Sequence, residues 1–215
     1  MFLINEKTCR PRGRPRIRPD SETLRLMVEA AEQEFQANGY AGTSMLDVAR
    51  HAGVSTKTMY RLISTKAELF REVVSRRIGR FMLAFAAEAH DAAGLRQALV
   101  HLLIAYGDLS LSKEAVAIHR LVLAECRRFP ELAELFHAEA IRGTGEAMAS
   151  WLWRHRERGL LRLEDPALAA GMLRGMMAME PQRAVMLDRR APPDAEDLAE
   201  RAGYCADLFL DGCGK

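Results

Sequence analysis

The sequence predicts an all-α protein with two parts. An N-terminal three-helix helix-turn-helix DNA-binding domain is followed by a larger helical domain. Two observations carry this. The stretch 43–66, TSMLDVARHAGVSTKTMYRLISTK, has caps, a turn glycine and apolar spacing for two short helices crossing at close range. From residue 90 onward the apolar residues recur at helical spacing, and no segment alternates as a strand would.

Composition bounds the rest. A chain of 215 residues holds one or two domains, and 49% hydrophobic with 28% charged residues is ordinary for a soluble globular protein. The net charge is only +2, yet residues 1–18 alone carry Lys7, Arg10, Arg12, Arg14, Arg16 and Arg18 against Glu6, so the remainder is net acidic. A basic arm on an acidic body points to an anionic partner met at one end. Cys9, Cys126, Cys205 and Cys213 are scattered without a CxxC pair, which fits reduced thiols rather than a disulfide framework or zinc knuckle. MFLINEK is too short an apolar start for a signal peptide, and Arg174 breaks the Met-rich run near the C-terminus. The expectation is a soluble cytoplasmic protein.

Residues 1–19 form the arm. RPRGRPRIRP cannot be helical, because proline removes donors and glycine loosens the backbone. It is either a solvated tail or a segment whose Arg12, Arg14 and Arg16 follow a phosphate backbone or enter a minor groove. Residues 20–66 form the DNA-binding domain. Asp20 or Ser21 caps helix 1, whose buried stripe is Leu24, Val28, Ala31 and Phe35. Gly39 ends it, and Tyr40 packs as an aromatic plug. Ser44 with Asp47 opens helix 2, Gly53 makes the turn through positive φ, and Ser55 caps helix 3. Met59, Leu62 and Ile63 face inward, leaving Thr56, Lys57, Tyr60 and Arg61 outward. Thr65 and Glu68 form a capping box for a long helix 4 that leaves the small domain.

Residues 67–215 form the larger helical domain. Ser112 caps a helix to Arg128, Pro130 opens the next, and Gly159 closes the Trp-rich segment. Asp165-Pro166 opens a helix to about Met179. Residues 180–193 read as a loop, and Asp194 with Asp197 starts a last helix closed by Gly212.

The GRPR arm, AAEQEFQANGYAGTSMLDVARHAGVSTKTMYRLISTKAELF and the larger helical domain together resemble the TetR family of bacterial transcriptional regulators over about residues 13–74. HRLVLAECRRFPELAELFH and RGLLRLEDPALAAG are similar to its AcrR- or AefR-like subgroup. The resemblance implies a homodimeric repressor on palindromic double-stranded operator DNA, released by a small apolar or amphipathic effector, with residues 67–215 as the helical effector-binding (ligand-binding) and dimerisation domain. It also implies that Thr43 and Ser44 meet phosphates, that Ser55, Thr56, Lys57 and Thr58 lie at the start of the recognition helix, and that Tyr60 and Lys66 contact phosphate. Arg61 becomes the candidate for bidentate guanine readout. Members commonly carry an aromatic or His pair where this chain has Leu62 and Ile63, so those two are expected to pack instead.

The rival class is a helical-bundle enzyme or metal-binding protein. A di-iron bundle needs two Glu-x-x-His motifs and two further carboxylates, whereas Glu134–His137 stands alone. GxSxG, HExxH and a phosphate-cradling glycine loop do not occur. No enzyme activity, cofactor or metal is expected. Phe81, Phe85, Tyr106, His119, Phe136, Met148 and Trp151 are either plain core or the lining of an apolar effector cavity. Met172, Met176, Met177 and Met179 suit an adaptable helix of the dimer interface.

Overall fold

The computed structural model describes residues 18–87 and 94–213, with side chains over 18–83 and 94–212. Its regular elements are α1 (Asp20–Gly42), α2 (Met45–His51), α3 (Thr56–Leu62), α4 (Lys66–Ala87), α5 (Leu95–Leu111), α6 (Lys113–Glu125), α7 (Pro130–Phe136), α8 (Thr144–Glu157), α9 (Pro166–Arg174), α10 (Glu180–Met186) and α11 (Ala195–Cys213). Two π-helical stretches, His137–Gly143 and Gly175–Met179, join α7 to α8 and α9 to α10. The protein is all-helical, with an N-terminal helix-turn-helix domain and a C-terminal helical domain. Among the described residues no helix is long and apolar enough to cross a membrane.

Neither Asp20 nor Ser21 caps α1. Pro19 occupies that position, and its carbonyl accepts from both the backbone N–H and the hydroxyl of Thr23. Asp20 already lies inside the first turn, where its carboxylate is spent on Arg61. Val28, Ala31 and Phe35 are buried as expected, joined by Met27. Gly39 interrupts the helical backbone at φ 70, ψ 175, a combination open essentially to glycine alone. The bend delivers Tyr40 into an aromatic cluster, with ring centroids 5.6 Å from Phe35, 6.0 Å from Phe70 and 5.0 Å from Phe129. Burial pushes the Tyr40 phenol up to about 12.

The apolar core does not divide at residue 66. A first cluster joins α1–α3 and the first half of α4 to Ile118 and Val122 of α6 and to Leu132, Leu135 and Phe136 of α7. A second cluster begins at Phe81 of α4 and takes in α5, α8, α9 and α11. Helix α4 therefore belongs to both cores. Its start uses the expected pair in a modified form. Thr65 Oγ1 accepts from Glu68 N, while Glu68 reaches back to the N–H of Ser64, one residue earlier than a regular capping box.

Further on, three expectations change. Ser112 does not cap α6 with its side chain, because its hydroxyl accepts from Arg77 at 2.6 Å. Helix α6 itself ends at Glu125 rather than Arg128. Residues 180–186 are helix, not loop. Proline inside a helix loses its own donor and crowds the carbonyl four residues earlier, here Met177. The preceding π-helical turn widens that backbone, and Arg201 of α11 donates to the Met176 and Met177 carbonyls at 2.7 and 2.8 Å. With those acceptors satisfied, the helix continues through Pro181. The Asp165 cap stands as read, accepting from Ala167 and Leu168 N–H groups, and Asp194 accepts from Asp197 N.

Candidate functional site

Helices α2 and α3 are short and held mainly by caps and a few buried contacts. Ser44 Oγ accepts from Asp47 N at 3.1 Å, and Ser55 Oγ accepts from Thr58 N at 3.1 Å. Between them Gly53 takes φ 65, which lets Val54 N reach the Ala49 carbonyl at 3.0 Å. Ala49 and Met59 are buried at the crossing, and Ile63 is buried just beyond. This leaves Thr56, Lys57, Tyr60 and Arg61 exposed along α3, Tyr60 at 52%. Arg61 is not idle. Its guanidinium grips Asp20 through two bonds of 2.6 and 2.8 Å, which holds the Asp20 carboxyl below the usual carboxylate range and raises Arg61.

Two expected phosphate contacts are redirected. Thr43 is buried, and its hydroxyl is directed at the Gly39 and Glu34 carbonyls at 2.8 and 3.0 Å. Lys66 turns inward, donating to the Tyr40 and Thr43 carbonyls at 2.7 and 2.9 Å with its ammonium 4.4 Å from the Tyr40 ring centroid. Partial burial lowers the Lys66 pKa. Both residues brace the bend after Gly39 instead of facing outward. Arg12, Arg14 and Arg16 lie outside the described residues.

A cavity of about 240 Å³ lies among α4, α5, α6, α7, α9, α10 and the two π-helical stretches. Of the residues proposed for it, Tyr106, His119 and Phe136 line the wall. Phe81, Met148 and Trp151 are instead packed in the second core, and the Phe85 side chain lies outside the described residues. His119 sits edge-on to Phe136, 4.7 Å between centroids, with Nδ1 3.0 Å from the Ala115 carbonyl. Burial lowers its pKa and keeps the imidazole neutral near pH 7. Arg77, Arg174 and Gln182 also line the cavity. Both π-helical stretches border it, through Ala140 and Ile141 on one side and Met179 on the other. Widened turns of this kind recur at functional sites.

Beyond the shared apolar core, a carboxylate ties the two regions together. Glu125, the last residue of α6, accepts from Tyr40 N at 2.6 Å and Ala41 N at 2.9 Å. A Cβ on Gly39 would stand 2.8 Å from Glu125 Oε1, so glycine gives the carboxylate its approach. Among the described residues no three His, Cys, Asp or Glu side chains gather as metal ligands.

Comparison with known proteins agrees with this geometry. Residues 27–73 match the bacterial regulatory proteins of the tetR family, and residues 97–213 match the C-terminal domain of AefR-like transcriptional repressors. The chain belongs to the TetR family. A structure from Mesorhizobium loti assigned to this family is 26% identical, with 93% of this chain and all of that one covered and a TM-score of 0.79. The flavonoid-responsive regulator FrrA is 25% identical over 90% of this chain and 98% of its own, with a TM-score of 0.69. A TetR-family regulator from Pseudomonas syringae shares the fold at 21% identity and a TM-score of 0.65, over 88% of this chain and 96% of its own. No match is found among curated proteins.

TetR proteins are DNA-binding transcriptional regulators and not enzymes, and the AefR-like C-terminal domain marks this one as repressor-like. Helix α3 is the second helix of the helix-turn-helix, and the cavity is walled largely by the AefR-like domain. Sequence reasoning overlooked Glu125, Arg77, Arg174 and Gln182. Only Arg174 had a signal of its own, as a lone cation inside an apolar, Met-rich run.

Proposed function

We propose that this TetR protein is a cytoplasmic, homodimeric repressor that binds a palindromic operator and is released by a small-molecule effector. The observation that supports it most directly is α3, a capped helix with its inner face buried and Thr56, Lys57, Tyr60 and Arg61 exposed together. Paired recognition helices would enter successive major grooves about 34 Å apart. Ser44, Ser55, Thr58, Lys57 and Tyr60 would grip phosphates, and Arg61 would exchange Asp20 for a guanine edge. Dimerisation is assigned to the outer faces of α9 and α11, where Leu168, Met172, Tyr204 and Leu208 are all more than half exposed. Of the Met cluster, Met172 and Met179 are exposed, whereas Met177 is buried.

The coupling would run along α6. Ala115, Ile118 and His119 form cavity wall, and Glu125, six residues on and so about 9 Å along the helix axis, holds the α1–α2 bend. An effector that moves α6 would move the anchor of the DNA-binding domain, which is differential binding to two states. Selection of bound fragments from a random DNA pool tests the proposal. A palindrome with half-sites about one helical turn apart is expected. Recovery of nothing above background from folded dimer would refute operator binding by the free protein.

A further inference from the structure

Three arginines among the described residues are withdrawn from full exposure: Arg77, Arg174 and Arg201. Two have acids beside them. Arg77 lies 2.9 Å from Glu32 and 4.0 Å from Glu114, and Arg201 lies 3.7 Å from Glu180. Arg174 has none. Its polar contact is Nε to the Tyr106 hydroxyl at 3.3 Å, with its guanidinium carbon 5.5 Å from the Tyr106 ring centroid. Gly145 of α8 makes room for the head group, since a Cβ there would come within 2.7 Å of Nη1. The guanidinium is thus fixed between a glycine and an aromatic face at the cavity wall, with no acid among the described lining residues.

A partly buried cation gains from an anion beside it, and the described residues supply none here. We propose that the cavity takes a small amphipathic carboxylate whose head pairs with Arg174. Its apolar body would lie against apolar wall residues such as Ile78, Ile118 and Phe136. The cavity volume of about 240 Å³ suits a small ligand. This rests on the reading of the cavity as the effector site.

The test is calorimetric titration of the full-length protein with octanoate and benzoate against their uncharged amides, octanamide and benzamide. An acid preferred over its amide by about tenfold or more is expected, because a charge-assisted bond in a partly dry site outweighs a neutral one. Arg174→Gln should bring acid and amide to near equality, while Arg174→Lys should keep part of the preference. Circular dichroism and retained amide binding check that the variants fold. Equal binding of acid and amide by the unaltered protein, or an acid preference that survives Arg174→Gln, would overturn the charge assignment and leave the cavity as a site. Failure of all four compounds to bind would overturn the effector-site reading as well.

Discussion

Gly39→Ala probes the joint between the two functional regions. Two costs follow from the structure. At φ 70, ψ 175 an alanine sits in backbone territory that costs about 1–3 kcal/mol. Its Cβ would also meet Glu125 Oε1 at 2.8 Å. The carboxylate is the end of a flexible side chain and can step aside, but doing so weakens its bonds to Tyr40 N and Ala41 N. Hydrogen bonds to charged groups contribute about 1.5–3 kcal/mol, and a half-exposed site reduces that to about 1–2. The sum is roughly 2–5 kcal/mol, or a fall in melting temperature of about 5–15 °C for a chain of this size. Differential scanning calorimetry of Gly39→Ala, Glu125→Ala and the double variant measures it. The double variant should cost less than the two singles added, since both act on the same pair of bonds. A loss under 2 °C for Gly39→Ala, or strict additivity, would refute this account of the joint.

Arg61→Ala should lower operator affinity on the order of tenfold and relax preference at one base position, read by repeating the DNA selection with the variant. Unchanged preference would remove Arg61 from base readout. The His119 imidazole is lowered by burial, so its folded pKa lies under the unfolded value near 6.5. The stability it contributes is whole above about pH 6.5 and is lost as pH falls through the folded pKa. His155, lowered by burial first and by the nearby Arg158 and Arg154, acts in the same direction. Melting temperature should therefore drop between pH 7 and pH 5, and His119→Gln should flatten that slope; an identical slope in the variant would exclude His119 as the source.

The helix-turn-helix was legible because its signals are local. Ser44, Gly53 and Ser55 act on residues two to four positions away, so spacing alone places them. What could not be read depends on a break in the helix or on partners distant in sequence. Thr43 looks like a free hydroxyl at a helix start until the Gly39 bend brings the Glu34 and Gly39 carbonyls beneath it. Pro181 looks like a loop until Arg201 satisfies the carbonyls it disturbs. The aromatic residues proposed for the cavity divide for the same reason. Tyr106, His119 and Phe136 reach it, while Trp151, equally apolar at the same helical spacing, packs into the second core. Residue type and period cannot separate a core wall from a cavity wall, because both are apolar on one side.

The inward turn of Lys66 leaves the described helix-turn-helix face short of positive charge. Arg50 pairs with Asp47 at 3.3 Å and Arg61 with Asp20, so Lys57 is the α3 cation without an acidic partner among the described residues. Phosphate attraction then has to come largely from residues 1–18, whose cations outnumber the net charge of the whole chain. The salt dependence makes this quantitative, since each phosphate neutralised on duplex DNA contributes about −0.9 to the slope of log K against log salt. If Arg12, Arg14 and Arg16 each neutralise one phosphate, deleting residues 1–18 flattens the slope by roughly 2.7 per protomer. The deletion leaves Pro19, whose carbonyl starts α1, so the fold should persist. Fluorescence anisotropy on the selected operator over 50–300 mM salt gives both slopes. An unchanged slope in the shortened chain would make the arm a solvated tail and return the phosphate contacts to α2 and α3.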